Sequence, residues 1–322
     1  MDPIDIIRVL IGLVGLYYGG DFLVQGASHI AKSFGISSLI IGLTIVALGT
    51  SAPELLVSVT SALQGESDLA LGNVIGSNIA NIGLILGIVG LITPIFVDKQ
   101  LVRREIPIMI GVTLFATLLI FDGELNQLDG MILLFAFGAF NLLFYYIAQK
   151  EHDVHEAEEA ADPNHHESDE EEYNIPREAM RVVFGVFLLV IGANLMVEGA
   201  VNIATALNVP ELVIGITMVA FGTSLPELAT SITAALNGEN DIAVGNVIGS
   251  NVANLLMVLG ATALVNPIDV GANILSVVEF PIMIGFSLLL YPFARNQVLS
   301  RRESAIFLGA YFSFILYSFL GR

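Results

Sequence analysis

The chain has 322 residues, of which 55% are hydrophobic and only 13% charged, and its mean hydropathy is +0.80. Soluble domains carry roughly 25% charged residues, so this composition excludes a water-soluble core and points to a bilayer. The formal net charge of -19 leaves no basic surface for nucleic acid, and the lack of any cysteine excludes disulfides, thiolate metal sites and cysteine nucleophiles.

A helix needs about 20 mostly apolar residues to cross the roughly 30 Å of hydrocarbon. Ten stretches meet that length, at 5–31, 37–65, 69–93, 103–121, 126–149, 177–203, 210–237, 241–266, 273–294 and 303–320. They are too long and continuous for the alternating pattern of barrel strands. The start, Met1-Asp2-Pro3-Ile4-Asp5, is acidic where a secretory signal is basic, so the first helix is expected to remain in place.

The second stretch contains GTSAPE at Gly49–Glu54, and the seventh contains GTSLPE at Gly222–Glu227, an offset of 173 residues. In the third and eighth stretches, GNVIGSNIAN at Gly72–Asn81 matches GNVIGSNVAN at Gly245–Asn254 in nine of ten positions. EIPIMIG at Glu105–Gly111 then answers EFPIMIG at Glu279–Gly285. The chain is therefore read as two homologous halves, 1–149 and 177–322, joined by a linker at 150–176.

That linker carries eleven acids and four of the five histidines, His152, His155, His165 and His166. Such a run repels itself and has little to bury, which predicts a solvated, largely disordered connector. A weak metal-buffering segment is the alternative, although no EF-hand pattern is present.

Lys and Arg are retained on the cytoplasmic side. With ten spans and an external N-terminus, the inside loops hold Lys32, Lys99, Arg103, Arg104, Lys150, Arg177, Arg181, Arg295, Arg301 and Arg302, and only Arg8 and Arg322 lie outside. Both termini are expected outside and the linker inside, in a cell membrane. Five spans per half is odd, so the second half enters the bilayer upside down. The predicted fold is an all-α membrane protein of ten transmembrane helices, arranged as two inverted five-helix repeats with broken helices at a central site.

Glu54 and Glu227 fall mid-span, where an ionisable group is costly and functional by default. Each follows a proline, Pro53 or Pro226, which lacks an N–H and clashes with the carbonyl four residues earlier, at Gly49 or Gly222. A helix break is predicted there, lined by backbone carbonyls. Thr50, Ser51, Thr223 and Ser224 add hydroxyls. Ser77 and Asn81 share one helical face, as do Ser250 and Asn254. Oxygen ligands without imidazole or sulfur suit hard cations such as calcium and sodium rather than zinc or copper. Two carboxylates neutralise one Ca²⁺ and leave one surplus positive charge if three Na⁺ bind. Gly72, Gly76, Gly245 and Gly249 are expected to serve helix packing. Asp21 and Gln25, with Asn194 and Glu198 in the other half, either line a vestibule or bond neighbouring helices near the headgroups.

These paired motifs resemble the alpha-repeats of the cation/calcium exchanger superfamily, in particular prokaryotic sodium/calcium exchangers, along nearly the whole chain. The resemblance implies an antiporter with four central cation sites in a diamond and one calcium exchanged for three sodium ions. It also implies that the long first helix of each half slides against a core of eight. By position it makes Glu54 and Glu227 the carboxylates shared by the ions, with oxygens from Thr50, Ser51, Thr223, Ser224, Ser77 and Ser250. The carbonyls of Ala47 and Ala220 and the amides of Asn81 and Asn254 complete the implied set. Asn254 departs from relatives with Asp there, which argues against potassium co-transport. Proton/calcium relatives carry acids in the second motif, where this chain has Ser and Asn.

The reading is thus a transporter and not an enzyme, needing no cofactor, with Ca²⁺ and Na⁺ as cargo, the lipid bilayer as surroundings and a monomer as a sufficient unit. A proton-coupled antiporter of calcium or another divalent cation is the alternative. An uncoupled channel would require a ring of acids, usually built by subunit symmetry. A hydrolase finds no HExxH or cysteine for its chemistry.

Overall fold

The computed structural model describes residues 2–161, 173–207, 221–270 and 278–320. In chain order the helices are α1 (Pro3–Ser33), α2 (Ser38–Thr50), α3 (Ala52–Leu63), α4 (Ser67–Ile92), α5 (Ile106–Leu119), α6 (Gln127–Ala161), α7 (Ile175–Ala206), α8 (Leu225–Leu236), α9 (Asn240–Val265), α10 (Phe280–Ala294) and α11 (Arg301–Leu320). Residues 221–223 are also helical. Among the described residues, five helices are long and apolar enough to cross a membrane, and six if the bent pair α2 and α3 is counted as one span.

The duplication recurs element by element. α3 and α8, and α4 and α9, superimpose in number at an offset of 173, and α11 begins 174 residues after α6. Even the cap between α3 and α4 repeats: Gly65 (φ +80°) and Gly238 (φ +82°) close their helices in the left-handed region, where glycine avoids the Cβ clash. Two short antiparallel ladders cross between the halves. β1 (Ile95–Phe96) pairs with β4 (Val298–Leu299), and β2 (Glu124–Leu125) pairs with β3 (Ile268–Asp269). Exchanging the halves turns one ladder into the other, the signature of a two-fold relation between them.

α1 and α7 form the most extensive helix pair. They run antiparallel: α1 glycines of rising number meet α7 residues of falling number, from Gly12 at Gly192 to Gly26 at Glu178. A Cβ on Gly192 would sit 2.8 Å from the Gly12 carbonyl oxygen, so the backbones approach as in small-residue membrane pairs. Matched polar clusters fasten both ends. Arg8 Nη1 bonds Asp5 Oδ1 at 3.0 Å and Asn202 Nδ2 donates to the same oxygen at 2.9 Å. At the other end Arg181 Nη1 bonds Glu178 Oε2 at 3.0 Å, and His29 Nδ1 meets that oxygen at 3.0 Å. Asp5, Arg8 and His29 become Glu178, Arg181 and Asn202 when 173 is added.

The remaining helices pack around a core of Val, Ile and Leu from α2, α4 and α9. Gly245 and Gly249 lie against Leu39, Leu43 and Ala47 of α2, as their packing role predicts. The two-fold relation is broken at one place that bears on function. α1 lies along α8, whereas the corresponding packing of α7 on α3 is nearly lacking. Leu225 and Pro226 are accordingly buried, while Ala52 is exposed and Pro53 half-buried.

Two expectations need adjustment. α6 runs past the predicted end at 149, through Lys150 and Glu151 to Ala161, because Ala, Glu, Lys and Gln continue a helix readily. Its end docks on the loop after α1: Glu151 Oε2 accepts Ser37 N–H at 3.0 Å, and His152 Nδ1 lies 2.8 Å from the Phe34 carbonyl oxygen. The beginning of the linker is therefore ordered helix, and its His165 and His166 lie outside the described residues. The first part of the span predicted at 210–237 lies outside them too.

Candidate cation site

The proline motifs break their helices as predicted. α2 ends at Thr50, Ser51 takes φ −80° and ψ 6°, and α3 leaves at 43° to α2. Ser224 takes φ −85° and ψ 5° at the same point of the second copy. Pro53 and Pro226 stand in the first turn of the new helices, where the missing N–H costs nothing. Glu54 and Glu227 follow at once and are fully buried.

The breaks bring the two glutamates to one place. Ser51, just before α3, donates to Glu227 Oε1 at 3.3 Å across the halves. Ser224, its counterpart, flanks the Glu54 carboxylate together with Ser77. Thr50, Ser51 and Ser250 flank Glu227, and the two carboxylates are close enough to repel each other. Each glutamate is thus surrounded by hydroxyls from both halves.

Buried polar atoms are almost always partnered, because an unsatisfied one costs about 1–3 kcal/mol and a charge more. Here they are concentrated without partners: Glu54 Oε1 and Oε2, Glu227 Oε2, Ser77 Oγ, Ser224 Oγ, Asn81 Oδ1 and both amide atoms of Asn254. Oxygens predominate, two residues are carboxylates, and no imidazole or sulfur takes part. Among the described residues no group of three or more His, Cys, Asp or Glu side chains forms a metal cluster. The donors that fit a cation are hydroxyls and amides around a carboxylate pair, the set hard ions such as Ca²⁺ and Na⁺ use.

Eleven of the twelve residues predicted for the site are described; Thr50, Ser51, Ser77, Ser224 and Ser250 stand around the two glutamates, and two of the twelve need separate comment. The Ala47 carbonyl accepts Ser51 N–H at 3.0 Å and Thr50 Oγ1 at 3.3 Å, so it borders the site already engaged. Ala220 lies outside the described residues. Asn81 and Asn254 each begin a π-helical turn, Asn81–Ile85 and Asn254–Val258, which widens α4 and α9 beside the site. Asn81 Nδ2 donates to Asn251 Oδ1 at 3.0 Å, while Asn254 lacks the equivalent bond. Of the pairs left open, Asp21 Oδ1 accepts from Asn237 Nδ2 at 3.2 Å and Glu198 pairs with Arg8 at 3.4 Å, the helix-bonding reading.

Sequence reasoning passed over Asn73 and Asn246. Both are buried beside the glutamates, and Asn73 Oδ1 accepts Thr223 Oγ1 while Asn246 Oδ1 accepts Thr50 Oγ1. Their signal lay in the second motif itself, where GN opens both copies.

A membrane helix bundle with a buried oxygen site shared by two related halves defines a cation antiporter of the calcium-handling class. Comparison with known proteins agrees. The family described as sodium/calcium exchanger protein matches residues 4–146 and 179–320, and the chain belongs to it. The sodium/calcium exchanger MaX1 of Methanosarcina acetivorans is 32% identical over 353 residues, covering 99% of each chain. Inner membrane protein YrbG of Escherichia coli K12 is 40% identical over 265 residues, or 80% of this chain and 79% of its own. A solved structure of the sodium-calcium exchanger NCX_Mj, soaked with Na⁺ and Ca²⁺, is similar at a TM-score of 0.82 and 34% identity and covers 100% of both chains.

Proposed function

We propose that this antiporter exchanges Na⁺ for Ca²⁺ at the Glu54 and Glu227 site and extrudes calcium by letting sodium enter. The observation that carries the reading is the meeting of two buried carboxylates within a shell of unpartnered oxygens drawn from both halves. Two negative charges balance one Ca²⁺, and the hydroxyls and amides replace its water. The same oxygens serve Na⁺, so the ions compete for one site, which is what exchange requires.

The site residues in this reading are Glu54, Glu227, Thr50, Ser51, Thr223, Ser224, Ser77, Ser250, Asn81 and Asn254, with the carbonyls of Ala47 and Ala220. The unit is 1–149 and 177–322 as two five-span repeats, inverted across the bilayer, with the 150–176 linker in the cytoplasm and both termini outside. The antiparallel course of the equivalent helices α1 and α7 supports inversion, and so does the cytoplasmic bias of Lys and Arg. A monomer suffices, because both halves of the site lie in one chain.

The unequal packing of α1 and α7 supports alternating access. With α1 along α8 and α7 making almost no contact with α3, α3 is the less covered of the two, while the glutamates themselves stay buried. In the proposed orientation α3 leads outward, so the less covered side of this occluded site is the outer one. Sliding of α1 and α7 together exchanges the two contacts and exposes the site to the cytoplasm.

Radiolabelled calcium flux in proteoliposomes with imposed Na⁺, K⁺ or pH gradients tests the coupling. A sodium gradient is expected to drive calcium uphill, with K⁺ and pH gradients ineffective. Calcium uptake that ignores sodium and follows pH replaces sodium by protons.

A further inference from the structure

The cation reading leaves unexplained why two carboxamides, Asn73 and Asn246, are buried beside the glutamates. Both are nearly inaccessible, at 2% and 0% exposure. Asn246 Nδ2 donates to the Glu227 carbonyl at 3.4 Å and to Ser231 Oγ at 3.1 Å. A carbonyl only accepts, so the amide's orientation is fixed and Oδ1 must face the other way. There it accepts the Thr50 hydroxyl at 3.0 Å, from the opposite half. The second copy repeats each bond. Asn73 Nδ2 donates to the Glu54 carbonyl at 3.2 Å and to Ser58 Oγ at 2.9 Å, and Oδ1 accepts Thr223 Oγ1 at 3.1 Å.

A threonine hydroxyl has one proton and two lone pairs. As a cation ligand it must turn a lone pair toward the ion, and its proton needs an acceptor elsewhere. In a helix that acceptor is ordinarily a carbonyl one turn back, which for Thr50 is Ala47 O at 3.3 Å. Besides Ser250 Oγ at 3.4 Å, itself a proposed ligand, the strong acceptor beside it is the Glu227 carboxylate. Ala47 O and the carboxylate are proposed ligands too, and a proton given to any of the three competes with the ion. Asn246 Oδ1 is nearer than Ala47 O and lies outside the ligand set.

We propose that Asn246 and Asn73 are positioning residues that draw the hydroxyl protons of Thr50 and Thr223 out of the cation site, so that both oxygens present lone pairs to the ion. Each amide also ties the end of one half's broken helix to the glutamate backbone of the other. The GTS segment of one repeat and the PE segment of its mate are thereby held in register while α1 and α7 move. This inference rests on the cation site and adds two residues that touch no ion.

The test is a calcium titration of melting temperature on the purified full-length protein, which reads binding without requiring transport. It yields the half-saturating calcium concentration and, separately, the stability without calcium. Asn246→Ala is expected to raise the half-saturating concentration about tenfold, the size of one hydrogen bond turned against a charged ligand. Thr50→Val should raise it similarly, and the double variant no further than Thr50→Val alone, because the amide acts through that hydroxyl. Asn73→Ala with Thr223→Val forms an independent second cycle. Unchanged half-saturation in Asn246→Ala and Asn73→Ala, or effects that multiply in the double variants, overturns the proposal. So does failure of both alanine variants to fold, which makes the amides structural. Glu54→Gln in the same titration separates the levels: if it still binds calcium normally the cation site itself is wrong, whereas loss of binding there with multiplying asparagine effects removes only the positioning role.

Discussion

Asn254, a proposed ligand, is buried with neither its amide nitrogen nor its amide oxygen bonded, although its counterpart Asn81 is tied to Asn251. An aspartate there adds a third negative charge when ionised and remains close in shape to the asparagine when protonated. Calcium affinity of Asn254→Asp is therefore expected to depend more steeply on pH than that of the parent, gaining as pH rises, in titrations at several pH values. Equal pH profiles for the two proteins would place Asn254 away from the ion. The glutamates themselves are legible from sequence, since a carboxylate after proline in the middle of an apolar span has few structural explanations. Asn73 and Asn246 are not, because an amide in a motif reads equally as ligand, as packing or as support, and only the direction of its hydrogen bonds decides.

At the scale of elements, proline chemistry made the breaks after Thr50 and Thr223 predictable, whereas the π-helical turns at Asn81 and Asn254 have no residue signature comparable to proline. The helical run from Lys150 to Ala161 was hidden by charge: the acidic linker suggests a disordered coil, yet its first residues are good helix formers attached to a helix already nucleated. The α1 and α7 pair depends on glycine. A side chain at Gly192 meets the Gly12 carbonyl oxygen and Leu16 N, both at 2.8 Å, and both are backbone atoms that cannot swing aside. Gly192→Val is expected to force the helices apart and destabilise the protein by about 1–3 kcal/mol, the ordinary cost of overpacking. Thermal unfolding in detergent measures this, and a melting temperature equal to the parent's would show that the pair does not need its close approach.

Over the whole molecule, the duplication was plain in the repeated motifs, but the manner in which the halves meet was not. The ladders that join β1 to β4 and β2 to β3 involve two residues each, far too few to read from a pattern. The unequal packing of α1 and α7 is equally invisible in sequence, since the duplicated motifs by themselves predict equal contacts on both sides. The orientation of the first repeat is open to direct test because the chain contains no cysteine. A membrane-impermeant maleimide applied to intact cells is expected to label Gln64→Cys and Asp122→Cys, both at exposed positions, and to leave the exposed Lys99→Cys unmodified. Labelling of Lys99→Cys alone would turn the orientation over.

The central claim is that Glu54 and Glu227 jointly hold the transported calcium. Sodium-driven calcium uptake into proteoliposomes, measured for Glu54→Gln and Glu227→Gln beside the parent, tests it most directly. Each substitution keeps the shape of the side chain and removes one of the two charges, so uptake should vanish in both while the protein remains folded and monodisperse. Uptake near the parental rate in either variant would contradict a shared site.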